Sequence, residues 1–394
     1  MRLLYTSTAY PPAVGGAQLL MHRLACQLST RHDLRVVTQW DERRTDWLLG
    51  TTVRAPSTPR AYQVDGVTVE RLGLPAIERM RLLPWVVAYY ALQGPAMRRI
   101  ARSLAARMQR WAAESDLIHN CRIGREGLTA ASLDLARRNR IPFVLTPVHH
   151  PRWGGFLHRH YRQMYREADA VIALTPPERD TLTALGVDPE KVFVTGMGPI
   201  LAEQHDAQAF RDRHGLGAHP FVLFLGQKYA YKGVRDLLRA APAIWEQAPE
   251  TRLVFLGPRT GHSRRLFARV RDPRIVESDT VSLQQKTDAL AACDVLCLPS
   301  TQESFGGVFT EAWSLGKPVV GYDIPAVRAV VEHGRDGFIT ARRTLAETLV
   351  RLVTSPELRA ELGGRGQEKV SALYTWPRLA EKTEEVYRRV LEGR

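Results

Sequence analysis

Cysteine is scarce in this chain of 394 residues, and long apolar runs are missing. Four scattered cysteines are too few for a disulfide scaffold. Cys293 and Cys297 flank an apolar run, and we interpret both as core thiols rather than a metal pair. No run approaches the roughly 18 apolar residues of a membrane span, and the apolar run at the start is too short for a signal peptide. The sequence therefore predicts a cytoplasmic protein.

Two common nucleotide-binding signatures are also absent. The loop that contains Gly15 and Gly16 lacks the full G-x-G-x-x-G pattern, and so does the segment GMG at 196–198. This absence argues against a nicotinamide enzyme. No G-x-x-x-x-G-K-[ST] loop occurs either, because the lysine in SLGKPVV follows a helix pattern rather than a strand.

Acidic residues are outnumbered by basic ones. The chain has 55 Lys and Arg against 41 Asp and Glu, a formal net charge of +14. Such an excess suggests a polyanionic partner: nucleic acid, an anionic membrane surface or a phosphorylated ligand. A nucleic-acid-binding protein is therefore one alternative. Against it, the arginines are spread over helix patterns, without an aromatic stacking platform or a recognition motif.

Short apolar strand patterns alternate with helix patterns from end to end. One series includes DLIHN, PFVLT and KVFVT, and a second includes FVLFLG, RLVFLG and DVLCLPS. This alternation predicts an α/β protein with two doubly wound, Rossmann-like domains facing an inter-domain cleft. We place the domains at residues 1–198 and 199–378, and expect a C-terminal helix at about 379–394 to pack back on the first domain. Ligands of such sheets bind beyond the C-terminal ends of the strands.

Two strand-end loops carry features suited to phosphate. Gly15 and Gly16 follow the first strand and precede a helix, where glycines can take positive φ and expose backbone N–H groups to an anion. The alternative is a plain turn. Gly226 ends a later strand and is followed by Lys228 and Lys232, two cations that suit a diphosphate unless they are simply solvated.

A third loop, in PSTQESFGGVFTEAW, places two acids around Phe305, Gly306 and Gly307. Glu303 and Glu311 do not suit phosphate, but a carboxylate accepts hydrogen bonds from neighbouring hydroxyls. Backbone N–H groups between them can contact a further oxygen. A phosphate centre with polyhydroxyl ends describes a nucleotide sugar. The alternative is that Glu311 only complements the dipole of its helix.

These segments together resemble the retaining glycosyltransferases of family 4, which have the GT-B fold. The resemblance rests on the E-x7-E element in PSTQESFGGVFTEAWSLGKPVV, on FLGQKYAYKG and on PPAVGGAQ, and it covers essentially the whole chain. It implies a hexosyltransferase-type enzyme. Its substrates would be a nucleoside-diphosphate sugar, most often a UDP- or GDP-sugar, and an acceptor hydroxyl in polysaccharide, glycolipid or other glycoconjugate biosynthesis.

The resemblance also implies roles for matching positions. Glu311 would bind the ribose, and Glu303 the donor sugar with help from the amides at 305–307. Lys232 would hold the diphosphate, and the glycines at 15, 16 and 226 would also bind the nucleotide part. The family's arginine after the strand glycine is Gln227 here, so Lys228 is the expected substitute. The chain has no D-x-D sequence, and we expect neither a metal nor another cofactor, with lysines and helix termini replacing Mg²⁺.

The segment PVHHPRWGGFLHRHYR holds four histidines within twelve positions. No cysteine or acid accompanies them, which argues against a metal site. Similar enzymes carry a histidine just after this strand that contacts the donor sugar. His149 and His150 both fall near that place, and the family histidine can also correspond to Val148. A solvated loop on the acceptor side is the alternative.

A strongly basic segment runs from Arg79 to Ala113, with seven arginines and no acid. Its second half places apolar residues on one helical face and arginines opposite. Two interpretations remain: a surface helix whose apolar side meets the core, or an interfacial patch that contacts anionic lipid at the inner face of a membrane. A nucleotide-sugar epimerase or hydrolase of the same fold is the other enzymatic alternative.

Overall fold

A computed structural model describes residues 1–13, 15–42, 47–122, 124, 127–149 and 155–393. The chain divides into two units. Unit 1 comprises Met1–Gly196 together with Trp376–Arg394, and unit 2 comprises Met197–Thr375. The sequence places these boundaries two and three residues further along.

Unit 1 contains an eight-stranded sheet in the order β3-β4-β2-β1-β5-β6-β7-β8. All neighbouring strands are parallel except the β3–β4 hairpin. The central strands are buried because helices cover both faces, which explains their continuous apolar runs. The strands are β1 (Arg2–Ala9), β2 (Asp33–Trp40), β3 (Arg60–Val64), β4 (Val67–Arg71), β5 (Leu117–Cys121), β6 (Phe143–Thr146), β7 (Ala170–Ala173) and β8 (Val192–Val194).

Among the residues that the structure describes, seven α-helices belong to unit 1. They are α1 (Gly16–Leu28), α2 (Ala76–Ala88), α3 (Gln93–Ala113), α4 (Leu128–Asn139), α5 (Arg159–Glu167), α6 (Pro176–Ala184) and the C-terminal α15 (Trp376–Glu392). Helix α15 is joined to the sheet through buried side chains. The hydroxyl of Tyr387 lies 2.5 Å from that of Tyr5 on β1 and 2.5 Å from Nδ1 of His119 on β5.

Helices α2 and α3 differ in how they meet the core. The apolar residues of α3, including Met97, Ile100 and Leu104, are buried, so this helix is a surface helix packed on the core. Helix α2 continues through Pro84 and buries only Leu82 and Val86. Pro84, a residue type that usually interrupts a helix, therefore does not end this one.

Unit 2 contains a six-stranded parallel sheet in the order β11-β10-β9-β12-β13-β14. The strands are β9 (Phe221–Leu225), β10 (Arg252–Leu256), β11 (Ile275–Ser278), β12 (Val295–Leu298), β13 (Val319–Tyr322) and β14 (Gly337–Thr340). The helices are α7 (Ala207–Arg213), α8 (Val234–Gln247), α9 (Gly261–Phe267), α10 (Leu283–Ala292), α11 (Gly307–Ser314), α12 (Pro325–Arg328), α13 (Leu345–Val353) and α14 (Pro356–Leu373).

The two units confirm the prediction of an α/β protein built from two Rossmann-like domains. All four cysteines are free thiols, and both Cys293 and Cys297 are buried, as core residues are. Within the described ranges, none of the helices has both the length and the apolar character that crossing a membrane requires.

Candidate functional site

The candidate site lies where the strand order of unit 2 reverses. From β9 the chain moves outward through β10 and β11, and then returns to the other side of β9 with β12. Neighbouring strands whose connections run in opposite directions leave a crevice beyond their C-terminal ends, where ligands of such sheets bind. The loops after β9 and β12 carry Lys232 and Glu303.

A glycine allows these two loops to pack closely. Gly233 has φ +81°, and a Cβ atom at this position would lie 2.1 Å from the carbonyl oxygen of Pro299. The amide of Thr301 donates a hydrogen bond of 2.8 Å to the carbonyl oxygen of Tyr231. The backbone therefore fixes the spacing between the loops before any ligand binds.

Lys232 and Glu303 form an ion pair at this position. Lys232 Nζ lies 2.6 Å from Glu303 Oε1, and the two side chains are 18% and 8% exposed. The structure thus brings together two residues that are 71 positions apart in sequence. A partly accessible ammonium group beside a carboxylate can bind an anion on one side while the carboxylate accepts bonds from hydroxyls.

Glu311, on α11, is buried and paired with a lysine that the sequence analysis missed. Lys286 Nζ lies 2.7 Å from Glu311 Oε1 and donates a second hydrogen bond of 2.6 Å to the carbonyl oxygen of Ile200. Burial raises the pKa of the Glu311 carboxyl, and the ammonium group of Lys286 and the backbone amide of Ile200 partly offset that rise. The lysine therefore helps to hold a buried carboxylate in place.

Two oxygens in this part of unit 2 are buried without a partner among the described residues. They are Oε2 of Glu311 and Oγ of Ser300, which lies in the loop after β12. A buried polar atom that makes no hydrogen bond is costly, and it commonly marks a site that a ligand completes. Glu311 Oε2 is thus an acceptor available to a hydroxyl group.

The glycine-rich turn between the two glutamates presents backbone donors. Gly306 has φ +83° and caps the N-terminus of α11. No acceptor for the N–H groups of Phe305, Gly306 and Gly307 is found among the described residues. The ring of Phe305 is buried edge-on against Tyr374 at a centroid distance of 5.5 Å, which anchors the turn. These N–H groups can contact a ligand oxygen, as the helix dipole favours.

Lys228 lies in a different environment from Lys232. Its ammonium group is completely buried and binds the carboxylate of Glu277 and the carbonyl oxygen of Ser278. Arg259 binds the same carboxylate, with Nε 2.9 Å from Oε2. Burial lowers the pKa of Lys228, while the hydrogen bond to Glu277 opposes that change. A phosphate-binding role for Lys228 stays a prediction, and it requires this lysine to exchange partners.

The remaining glycines differ in backbone geometry. Gly226, after β9, has φ +147°, and no atom lies within 4 Å of where a Cβ would stand. Gly15 is extended, with φ −173°, and Gly16 opens α1. Neither Gly15 nor Gly16 has the positive φ that the sequence suggests for glycines in this loop. Gly16 also faces open space, so bare backbone rather than positive φ is what this loop offers a ligand.

His149 lies in unit 1, at the end of the segment that follows β6. Its amide donates a hydrogen bond of 2.5 Å to Oε1 of Glu178, and Oε2 of Glu178 accepts another, of 2.8 Å, from the amide of Leu174. Burial raises the pKa of Glu178 to about 7. Val148 is held at φ +45°, an unusual conformation for a β-branched residue. His150 lies outside the described residues.

Two residues that hold predicted site residues were not predicted from the sequence, for different reasons. They are Lys286, which pairs with Glu311, and Glu178, which accepts from the amide of His149. Lys286 lies in the first turn of α10, a place where lysine is usually solvated, so nothing marks it in the sequence. Glu178 does have a signal, because Thr175 begins a helix three residues earlier and its hydroxyl accepts from the Glu178 amide. That signal indicates a helix start but not the contact with His149.

Comparison with known proteins identifies the class to which this site belongs. Residues 15–198 match the model of the glycosyl transferase 4-like domain, and residues 219–355 match that of glycosyl transferases group 1. Among solved structures, Anabaena HepE in complex with UDP and glucose superposes with a TM-score of 0.75. It is 18% identical and covers 99% of this chain and 100% of its own. Sucrose-phosphate synthase from Thermosynechococcus elongatus has the same TM-score and identity, with full coverage of both chains.

Curated relatives give the same class. The MMP alpha-(1->4)-mannosyltransferase of Mycolicibacterium hassiacum is 27% identical over 322 residues, which are 74% of each chain. The D-inositol 3-phosphate glycosyltransferase of Rhodococcus erythropolis is 31% identical over 245 residues, which are 58% of this chain and only 55% of that enzyme. The fold is GT-B and the protein is a glycosyltransferase. More narrowly, the chain belongs to glycosyltransferase family 4, which confirms the family predicted from the sequence.

Proposed function

We propose that this enzyme transfers a sugar from a nucleoside-diphosphate sugar to an acceptor hydroxyl with retention of anomeric configuration. The observation that carries this proposal is the pair of lysine–glutamate contacts in unit 2, Lys232–Glu303 and Lys286–Glu311. Each contact fixes a carboxylate that can accept bonds from hydroxyl groups. Both lysines keep a small exposed fraction, 18% for Lys232 and 17% for Lys286, and Lys232 is the one that lies in the loop after β9.

The donor would bind with its hydroxylated ends on the acids. Glu311 Oε2, buried without a partner among the described residues, would accept a bond from the ribose. Glu303 would accept bonds from the sugar, with the N–H groups of Phe305, Gly306 and Gly307 beside it. Lys232 would contact the diphosphate from its place next to Glu303. Each assignment uses a group already in position.

The chemical step would depend on charge stabilisation. The bond between the anomeric carbon and the diphosphate oxygen breaks, and the acceptor oxygen forms a bond to the same face of that carbon. The acceptor proton passes to the departing phosphate oxygen. Lys232 would stabilise the negative charge that grows on the leaving group, as a preorganised cation does. We propose that this cation, rather than a bound metal ion, supplies that stabilisation.

Relatives lend support to a choice of substrate classes. HepE binds UDP-glucose in one solved complex, and the Mycolicibacterium relative is a mannosyltransferase. We therefore propose a UDP- or GDP-sugar as donor and a hydroxyl of a polysaccharide, glycolipid or other glycoconjugate as acceptor. A thermal-shift screen against UDP, GDP, ADP, dTDP and their sugars tests the donor. A ligand present at 100-fold over its Kd adds about 2.7 kcal/mol to the free energy of unfolding. The nucleotide of the true donor should therefore raise the melting temperature more than the other nucleotides do.

Product analysis then tests the reaction type. NMR of the product formed with the selected donor should show the new glycosidic bond in the donor's anomeric configuration. Inversion would refute retention. Release of free sugar and nucleotide in the presence of a broad acceptor panel would favour the hydrolase alternative, and a changed sugar on an intact nucleotide would favour the epimerase.

We further propose that unit 1 contacts an anionic membrane through the exposed apolar face of α2, with exposed arginines of α3 beside it. The exposed apolar residues of this region recur at helical spacing along one face, and Met80 and Val87 are 72% and 69% exposed. They are Ile77, Met80, Leu83, Val87 and Tyr90. A soluble monomer rarely exposes such a stripe. Exposed arginines at the start of α3, Arg98, Arg99 and Arg102, would meet the lipid phosphates.

Vesicle co-sedimentation tests this surface. Met80→Ser/Val87→Ser should lose binding to vesicles that contain anionic lipid, whereas Leu373→Ser, an exposed leucine of unit 2, should retain it. Equal vesicle binding by the wild type, the double variant and Leu373→Ser would overturn the proposal. A concentration-dependent dimer that the double variant abolishes would assign the stripe to a second copy of the chain instead.

A further inference from the structure

Three side chains of unit 1 that can bind a metal ion lie close together, and none of them takes part in the proposed donor site. His22 and Cys26 are one helical turn apart on α1 and face the same side. Asp65 lies at the tip of the β3–β4 hairpin, where Asp65 and Gly66 take φ +47° and +78° as an Asp-Gly turn requires. Each of the three offers one ligand atom, and these atoms lie within 4.8 Å of one another.

We propose that His22, Cys26 and Asp65 form a binding site for a divalent transition-metal cation, with Zn²⁺ as the ion that best fits the ligand set. An imidazole nitrogen, a thiolate and a carboxylate are the ligands that zinc takes, with three protein ligands leaving a fourth position for water. The proposal concerns a site independent of the glycosyl transfer proposed above.

The distances suit a single ion. Bond lengths of about 2.0–2.3 Å and tetrahedral angles place two ligand atoms about 3.3–3.8 Å apart. Cys26 Sγ lies 3.6 Å from His22 Nε2, and Nε2 lies 2.9 Å from Asp65 Oδ2. The second pair is now at hydrogen-bonding distance, so the aspartate has to move outward by about half an ångström. Its side chain is 65% exposed and can do so without disturbing the core.

Tyr10 provides the outer contact that a metal-binding histidine usually has. Its hydroxyl lies 3.0 Å from Nδ1 of His22, and both side chains are buried. This contact orients the imidazole so that Nε2 points at Asp65. Without a metal, Nε2–H donates to the aspartate and Nδ1 accepts from the phenol. With a metal on Nε2, the proton moves to Nδ1 and is donated to the phenol oxygen, and the thiol of Cys26 loses its proton to water.

The simpler reading is a hydrogen bond that ties the hairpin to α1. It accounts for His22 and Asp65, while the Cys26 thiol adds only a long contact of 3.9 Å to the carbonyl oxygen of Asp65, with its sulfur 3.6 and 3.8 Å from the two ring nitrogens of His22. This thiol is the only one of the four cysteines that is not fully buried, and it makes no disulfide. An ion would join α1 to the hairpin at a point one to three turns beyond Gly16.

Cobalt titration of the full-length, chelator-treated protein tests the site. Co²⁺ should bind at one equivalent, with a thiolate-to-metal charge-transfer band and the visible bands of four-coordinate cobalt, and Zn²⁺ should displace it. Cys26→Ser should abolish the charge-transfer band. Tyr10→Phe should weaken binding by about 10- to 100-fold, as loss of an outer contact does. Asp65→Asn should weaken binding more than the control Asp33→Asn, which changes another exposed acid of unit 1.

Several results would overturn the proposal. They are the absence of a thiolate band in the unmodified protein, a band that persists in Cys26→Ser, and equal affinities for Asp65→Asn and Asp33→Asn. If Cys26→Ser fails to fold by circular dichroism, the comparison of the two aspartate variants decides, because both change exposed side chains. If Asp65→Asn and Asp33→Asn bind Co²⁺ with equal affinity, His22 and Asp65 form only a hydrogen bond between α1 and the hairpin.

Discussion

Lys232 Nζ and Glu303 Oε1 lie 2.6 Å apart at the point where the strand order of unit 2 reverses. The two side chains come from loops after adjacent strands, β9 and β12, and Gly233 allows those loops to approach. In one partly accessible place, the ammonium group can bind a phosphate while the carboxylate accepts a hydrogen bond from a hydroxyl. The predictions below separate the parts of this arrangement.

Lys232→Ala should reduce kcat by about a hundredfold or more, because it removes a cation that stabilises the leaving group in the transition state. The ion pair is mostly buried, so losing its cation should also lower the free energy of unfolding, by about 1–3 kcal/mol. Steady-state kinetics and urea denaturation measure the two quantities. Lys191→Ala, a lysine change in unit 1, serves as control. Near-normal turnover of Lys232→Ala would remove this residue from the chemistry.

Lys228→Ala should lower the free energy of unfolding more than it lowers kcat. Its ammonium group is buried against Glu277, and removing one partner of a buried pair leaves the other without compensation. Arg259 still binds the carboxylate, so we expect a loss near the low end of the usual range, about 3 kcal/mol. Urea denaturation measures this loss. A variant with unchanged stability and strongly reduced kcat would instead place Lys228 on the phosphate.

Glu311→Gln should weaken binding of the free nucleoside diphosphate by about 10- to 100-fold while leaving kcat at saturating donor nearly unchanged. A charged hydrogen bond contributes about 1.5–3 kcal/mol, and the variant keeps the shape of the side chain without its charge. Isothermal titration calorimetry measures the affinity. Glu332→Gln, an exposed glutamate of unit 2, is the matched control. Equal affinities for the two variants would refute the ribose assignment.

Lys286 and Glu311 should depend on each other for stability. Lys286→Met leaves a buried carboxylate without its cation and should cost about 3–5 kcal/mol. Adding Glu311→Gln should recover part of that loss, because the uncompensated charge is gone. A double-mutant cycle on unfolding free energies measures the coupling. Strictly additive losses would show that the contact does not hold Glu311 in place.

Glu178 should make the stability of unit 1 depend on pH. Burial raises its pKa from 4.5 to about 7, so the folded state keeps a proton that the unfolded state loses. The stabilising contribution is therefore complete below pH 4.5 and is lost as the pH rises towards and through 7. Glu178→Gln should cost about 1–3 kcal/mol at pH 5, because its NH₂ group opposes one of the two amides.

The difference in stability between wild type and Glu178→Gln should then narrow from pH 5 to pH 8. Urea denaturation at both pH values provides the measurement, with Glu190→Gln, an exposed glutamate, as control. A difference that stays constant or widens would show that Glu178 is ionised throughout this range.

Most of the strands that the sequence predicts are buried on both faces, although β8 at the sheet edge is only partly buried. β1, β5, β9 and β12 read as apolar runs because helices cover them. β11 is only half buried along its length and has no such run, so the pattern does not show it. The β3–β4 hairpin was missed although its Asp-Gly turn is a hairpin signal.

Glu303, Glu311 and Lys232 could be chosen from the sequence as candidate site residues, but their ion-pair partners could not. Glu303 and Glu311 stand out because two acids flank a glycine turn at a strand end. Their partners come from other loops, and only the folded topology selects Lys232 for one and Lys286 for the other. The same limit applies to Lys228, whose partner Glu277 lies 49 positions away.

A crystal structure of the protein with a bound nucleoside diphosphate tests the central claim most directly. The ribose hydroxyls should lie within hydrogen-bonding distance of Glu311 Oε2, and the diphosphate should contact Lys232 Nζ. A nucleotide bound elsewhere, or bound in this crevice with Glu311 Oε2 still without a partner, would contradict the account.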